Sequence, residues 1–230
     1  MPPVVISQAD LAPFGATWTS NGGKLSRTPP QSSGELGKVF DLAVGTALAV
    51  MLGGVPVTTP NGNSLTPALP DCVEVGPVRI IGGVRPQNFD VGYRPDGVRF
   101  AFESKTLNDS DSVGKNWQNM INDLSTEATT VHSRFPHAVV ALMVVIPEPC
   151  LSEPQRSAMI ETLERLARRQ RVEDAAYMAE AISLVVWNPT DGSILANVPA
   201  QASPLRMERF SLQVETAYVS RYKGLPPHAA

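Results

Sequence analysis

Nine consecutive apolar residues at 138–146 (AVVALMVVI) constrain this chain more than anything else in it. A strand covered on both faces reads as an unbroken apolar run, and the layers that cover a parallel sheet are helices. The run is too short to cross a membrane as a helix, and no other apolar stretch reaches that length. An α/β fold around a buried sheet is therefore expected. At 230 residues the chain can bury a large core, and 43% hydrophobic residues are enough to fill one, so one domain is expected.

The elements around that run can be read in order. Ser32, Ser33, Gly34 and Glu35 have capping-box spacing. Leu36, Phe40, Ala43, Val44, Ala47, Leu48 and Met51 then recur at helical period until Gly53 and Gly54 stop the helix. A polar, Pro-rich loop at 58–71 follows, then a strand at 72–81 and a hairpin at 88–106. Val113, Trp117, Met120, Ile121, Leu124, Ala128 and Val131 form one face of a helix that ends near Pro136. The order is helix, three strands, helix, strand, and its second half is a right-handed βαβ unit. Beyond it the pattern predicts a helix over 149–171 and a short helix over 176–181. A hairpin of 182–187 with 193–198 follows, then a last helix capped by Ser203 with Pro204 in its first turn. The expected organisation is a single domain over 1–230. Its core covers about 34–146, its extension of helices and a hairpin 149–223, and a disordered tail 224–230.

The hairpin carries the chemistry. Arg94-Pro95-Asp96-Gly97, with Pro second and Gly fourth, spells a type I turn. With Arg94 opposite Gly97, Tyr93 faces Val98 and Asp90 faces Ala101. Ala101, Glu103 and Lys105 alternate onto one face, and Asp90 shares it through Ala101. Glu103 is then the diagonal neighbour of Asp90, roughly 7–8 Å away. Two carboxylates that close repel unless a cation sits between them. Oxygen-only ligands suit Mg²⁺, which usually takes one or two protein carboxylates plus phosphate oxygens. Lys105 adds a positive charge beside them.

These residues resemble the PD-(D/E)XK nucleases, the restriction-endonuclease-like superfamily, which carries an Asp on one hairpin strand and Glu-X-Lys on the next. Asp90 and Glu103-Ser104-Lys105 fill those places. The literal Pro95-Asp96 pair also fits the first two letters. But Asp96 lies in the turn, seven residues or roughly 23 Å of strand from Glu103, too far to share a metal. Asp90 follows Phe89 rather than Pro, a departure from the nominal motif. The resemblance covers about 34–146 and implies a Mg²⁺-dependent endonuclease that hydrolyses phosphodiester bonds of double-stranded DNA. Asp90 and Glu103 would bind the metal, joined by the backbone carbonyl of Ser104. Lys105 would orient or help deprotonate the attacking water and stabilise charge at phosphorus. The family often adds an acid from the first helix, here Glu35 or, as second choice, Asp41. It often adds a polar residue on the helix after the motif, here Gln118 or Asn116. A compact chain without a separate DNA-binding module suits a Type II restriction endonuclease of a restriction–modification pair. Palindromic sites are read by two-fold symmetric proteins, so a homodimer is the default. A DNA repair or mobile-element nuclease of the same core is the alternative enzyme. A non-catalytic DNA-binding or accessory protein is disfavoured by the intact Asp90, Glu103 and Lys105 set.

Other features bound the reading. A net charge of −3 argues against binding nucleic acid by bulk electrostatics, so any DNA footprint must be local. Arg156, Arg165, Arg168, Arg169 and Arg171 cluster on or near one helix, balanced by Glu161, Glu164 and Glu173, and the first four are the DNA-binding candidates. His132, His137 and His228 lack metal-ligand spacing. Gly22-Gly23-Lys24 lacks the upstream glycine of a phosphate loop, and Gly82-Gly83 reads as a turn. Cys72 and Cys150 read as buried thiols rather than a disulfide framework. Residues 1–12 carry no secretory pattern, so no membrane association and a cytoplasmic location are expected.

Overall fold

The computed structural model describes residues 1–225. The tail expected at 224–230 therefore lies, from 226 onward, outside the described residues. Among them the chain forms five α-helices and one mixed six-stranded sheet. The helices are α1 (Gln8–Ser20), α2 (Ser33–Met51), α3 (Val113–His132), α4 (Glu153–Leu166) and α5 (Met207–Tyr222). The strands are β1 (Val57–Thr58), β2 (Val73–Ile81), β3 (Pro86–Tyr93), β4 (Phe100–Thr106), β5 (Val139–Pro147) and β6 (Ala181–Trp187). They lie in sequence order across the sheet. β2–β3 and β3–β4 are antiparallel, while β1–β2, β4–β5 and β5–β6 are parallel. No helix among the described residues is long and apolar enough to cross a membrane.

The apolar run becomes β5, buried along its whole length between β4 and β6. α3 and α4 make the crossovers on either side of it. One sheet face is set by ring and helix contacts. Phe102 of β4 meets Phe210 of α5 with ring centroids 6.1 Å apart, and Tyr93 of β3 meets Tyr218 of α5 at 6.4 Å. α2 packs on the same face so closely that a Cβ on Gly45 would stand 2.3 Å from Val75, which only glycine allows. Alternation along β4 sends Glu103 and Lys105 to the opposite face, toward α3.

α2 begins as its spacing predicts: Ser32 Oγ accepts the Glu35 N–H at 3.3 Å, and Leu36, Phe40, Val44 and Leu48 are fully buried. α1 is additional to the expected elements. Its Ser7–Asp10 capping box is complete, Leu11, Phe14 and Trp18 are buried, and the Trp18 indole donates to the Asn108 carbonyl just beyond β4.

Four expectations are corrected. The β3–β4 register pairs Tyr93 with Phe100 and Gly92 with Ala101, two residues further round than a four-residue turn gives. The connection is wider because Arg94 leaves the ladder. Its guanidinium is 5% exposed, forks onto Glu74 at 2.6 and 3.0 Å, and binds the carbonyls of Ser64, Thr66 and Arg79, which pins the polar loop. Residues 176–181 are not helical, because Glu180 turns inward and Ala181 opens β6. The 182–187/193–198 hairpin reduces to one bridge, Trp187 with Ile194. The outer edge of β6 is bonded instead by Leu195 and, further back, by the Leu205 carbonyl. α5 starts at Met207, since Ser203 Oγ accepts the Leu205 N–H and donates to Glu164 rather than capping a helix.

Candidate active site

β3 and β4 part just after the Val91–Phe102 pair, and acids gather at that fork. Asp90 closes it: one carboxylate oxygen accepts both the Ser104 N–H at 2.8 Å and the Ser104 hydroxyl at 3.2 Å. The two-residue change of register leaves the expected face intact, because strand side chains alternate with period two. Glu103 and Lys105 stand on the α3 side, with Lys105 Nζ 2.6 Å from Glu103 Oε1. From α2 comes Asp41, 6% exposed, one turn beyond Gly37. Gly37 lets the helix press on β4: a Cβ there would lie 3.2 Å from Ser104 Oγ. From α3 comes Glu127, 2% exposed, whose Oε1 is also 2.6 Å from Lys105 Nζ.

The charge balance is strained toward the negative. Burial, then the charge of Asp90, push the carboxyls of Asp41 and Glu103 far above their ordinary range. Burial likewise raises Asp90 against its Ser104 hydrogen bonds, and raises Glu127 against the pull of Lys105. Burial alone would lower the Lys105 ammonium, but Glu103 and Glu127 outweigh it and hold the charge on. Asp41 Oδ1 and Glu103 Oε2 are buried with no hydrogen-bond partner. Among the described residues no three His, Cys, Asp or Glu side chains are grouped tightly enough to hold a metal ion as they stand. The donor chemistry nevertheless fits a hard divalent cation: the oxygens are carboxylates, two of them are orphaned, and each acid costs less when a cation neutralises it.

The remaining candidate residues separate. Glu35 pairs with Lys38 at 2.6 Å and makes no contact with the fork, so Asp41 is the acid that α2 delivers. Asn116 and Gln118 are exposed near the start of α3, and the polar side chain that α3 sends to Lys105 is Glu127. Glu127 had a readable signal. It falls on the buried stripe of Leu124, Ala128 and Val131, where a carboxylate has no packing role. Asp96 pairs with Arg99 in the turn, away from the fork. Arg169 is corrected as a DNA contact. It is 3% exposed, bonded to the carbonyls of Pro136, Val172 and Asp174, and paired with Glu180 at 2.9 Å. Arg156 pairs with Glu148 and Glu153, whereas Arg165 is exposed on α4 and Arg168 is exposed in the turn just beyond it.

No protein-family model, no curated protein and no solved structure matches the chain. The functional reading rests on its own residues.

Proposed function

We propose that this chain is a Mg²⁺-dependent endonuclease that hydrolyses phosphodiester bonds of double-stranded DNA, with a core like that of the PD-(D/E)XK nucleases. The observation that carries the reading is the meeting of Asp41, Asp90 and Glu103 at the β3–β4 fork, beside the paired ammonium of Lys105. The order α2, β1, β2, β3, β4, α3, β5 supports it: apart from the two-residue β1, it is the helix, three strands, helix, strand of that core. Asp90 and Glu103 would hold Mg²⁺, with Asp41 and the Ser104 carbonyl beside them. When bound, the ion supplies a more acidic water and neutralises phosphate charge. Ser104 fixes the Asp90 carboxylate through two donors. Lys105, held as a cation by two carboxylates, orients the water and stabilises charge at the pentavalent phosphorus; it has no lone pair with which to deprotonate. Within that reading we favour a Type II restriction endonuclease acting as a homodimer on a palindromic site, because a two-fold symmetric protein matches a two-fold symmetric site.

Supercoiled plasmid incubated with the purified chain tests this. Discrete bands are expected with Mg²⁺ or Mn²⁺, no cutting in EDTA, and DNA binding without cutting in Ca²⁺. Full activity in chelator would remove the metal mechanism. Structure-dependent nicking would point to repair, and binding without cutting under any metal to an accessory protein. A second measurement separates the two acids of α2. Asp41→Asn is expected to slow cleavage by about 10²-fold, ~2.7 kcal/mol in barrier, and Glu35→Gln to leave it within about twofold. Equal losses would mean that α2 contributes through its packing alone.

A further inference from the structure

We propose that Glu127 is a positioning residue that keeps one oxygen of Glu103 open for the cation, an inference that rests on the nuclease reading. Lys105 Nζ lies 2.6 Å from Glu127 Oε1 on one side and 2.6 Å from Glu103 Oε1 on the other, while Glu103 Oε2 is buried and unpartnered. An ammonium has three donors and no acceptor. With a carboxylate on each side it is held between them and occupies a single oxygen of Glu103. Without Glu127, Glu103 is the only carboxylate left within ion-pair distance of Lys105. The ammonium then settles across both Glu103 oxygens and closes the open one. Its four-carbon stem makes that movement easy. Glu127 stands where stability alone would place an apolar residue: it is 2% exposed on the α3 stripe between Leu124, Ala128 and Val131. Groups that orient a metal ligand in this way typically change metal affinity by about 10–100-fold when removed.

The test is a double-mutant cycle on the full chain, read as Mn²⁺ affinity by calorimetry without DNA. Glu127→Gln is expected to weaken Mn²⁺ binding by about 10-fold or more. The same substitution in a Lys105→Met background should have no effect, because the ammonium through which Glu127 acts is gone. Glu127→Leu should reproduce the loss of affinity without lowering the melting temperature, since Leu suits that stripe. A purely structural carboxylate would instead lose affinity and thermal stability together. An equal loss of affinity in both backgrounds would show that Glu127 acts as a direct ligand or a distant charge, and would overturn the inference while leaving the nuclease reading in place. Unchanged affinity in Glu127→Gln would overturn it as well. A wild-type chain that binds no Mn²⁺ would remove the nuclease reading and this inference with it.

Discussion

Asp90→Asn is expected to abolish cleavage, by about 10³-fold or more, equivalent to ~4 kcal/mol of barrier. Asp96→Asn is expected to cut at close to the wild-type rate. The contrast follows from place. Asp90 holds the fork, its carboxylate fixed by two donors of Ser104, whereas Asp96 is 61% exposed and engages Arg99 in the turn. The control against simple unfolding is also fixed by the structure. Burial raises the Asp90 carboxyl above its ordinary range, so the folded chain takes up a proton more readily than the unfolded one. Stability supplied by such a group is present in acid and is lost as pH rises above the ordinary Asp value. A neutral Asn removes that cost while still accepting from Ser104. In chelator near pH 8, Asp90→Asn should therefore melt at or above the wild-type temperature, with any gain vanishing in acid. Asp96→Asn should lose about 1 kcal/mol or less, the usual size for an exposed ion pair. Cleavage assays and melting curves of the two proteins decide it. An active Asp90→Asn beside an inactive Asp96→Asn would move the metal site to the turn.

The parts of the fold that were legible are those written locally. The 138–146 run fixed a strand buried along its length, and Ser32 with the apolar repeat behind it placed α2 to the residue. The Asp90, Glu103 and Lys105 grouping survived a register error of two because alternation conserves faces over an even shift. The error itself came from Arg94, which a turn rule places at the first position of a tight turn. Its buried pairing with Glu74, twenty residues earlier, widens the loop instead, and no local rule contains that partner. The same limit explains the acids. Glu35 and Asp41 lie on one helix, and capping spacing drew attention to the first. Only the packing of Gly37 on Ser104 decides that the next turn, with Asp41, faces the fork. Glu127 was visible as a charge on an apolar stripe, but its partner Lys105 could not be named without the α3 crossover. In the extension, period and capping rules drew a short helix over 176–181 and a helix start at Ser203. Side-chain bonds of Glu180 and Ser203 to partners far away in sequence redirected both.

Glu180 marks the largest stability effect. Its side chain is fully buried, with Arg169 at 2.9 Å and Arg221 at 2.8 Å on Oε1. Oε2 accepts the Val140 N–H at 2.7 Å and lies 3.2 Å from His132 Nε2. The group ties α3, β5, β6 and α5 together at residues far apart in sequence, which is why Arg169 read as one of a cluster of helix cations rather than as a buried partner. Burial works against the carboxylate, but His132, Arg221 and the Val140 amide together hold it below its ordinary range. Glu180→Gln leaves Arg169 and Arg221 facing each other without their counter-charge. Breaking a buried pair by removing one partner costs about 3–5 kcal/mol. That is a large share of the roughly 5–15 kcal/mol that holds a domain folded. For a chain of this length it amounts to a fall in melting temperature of roughly 6–20 °C. The sign with pH follows from the lowered carboxyl. Its contribution is complete above the ordinary Glu value and disappears as pH falls through the depressed one, so the gap between wild type and Glu180→Gln should be widest near neutrality and narrow in acid. Differential scanning calorimetry of both proteins at neutral and acid pH measures it. Melting temperatures within about 2 °C at neutral pH would show that the two arginines find other partners and that Glu180 does not hold this end of the sheet together.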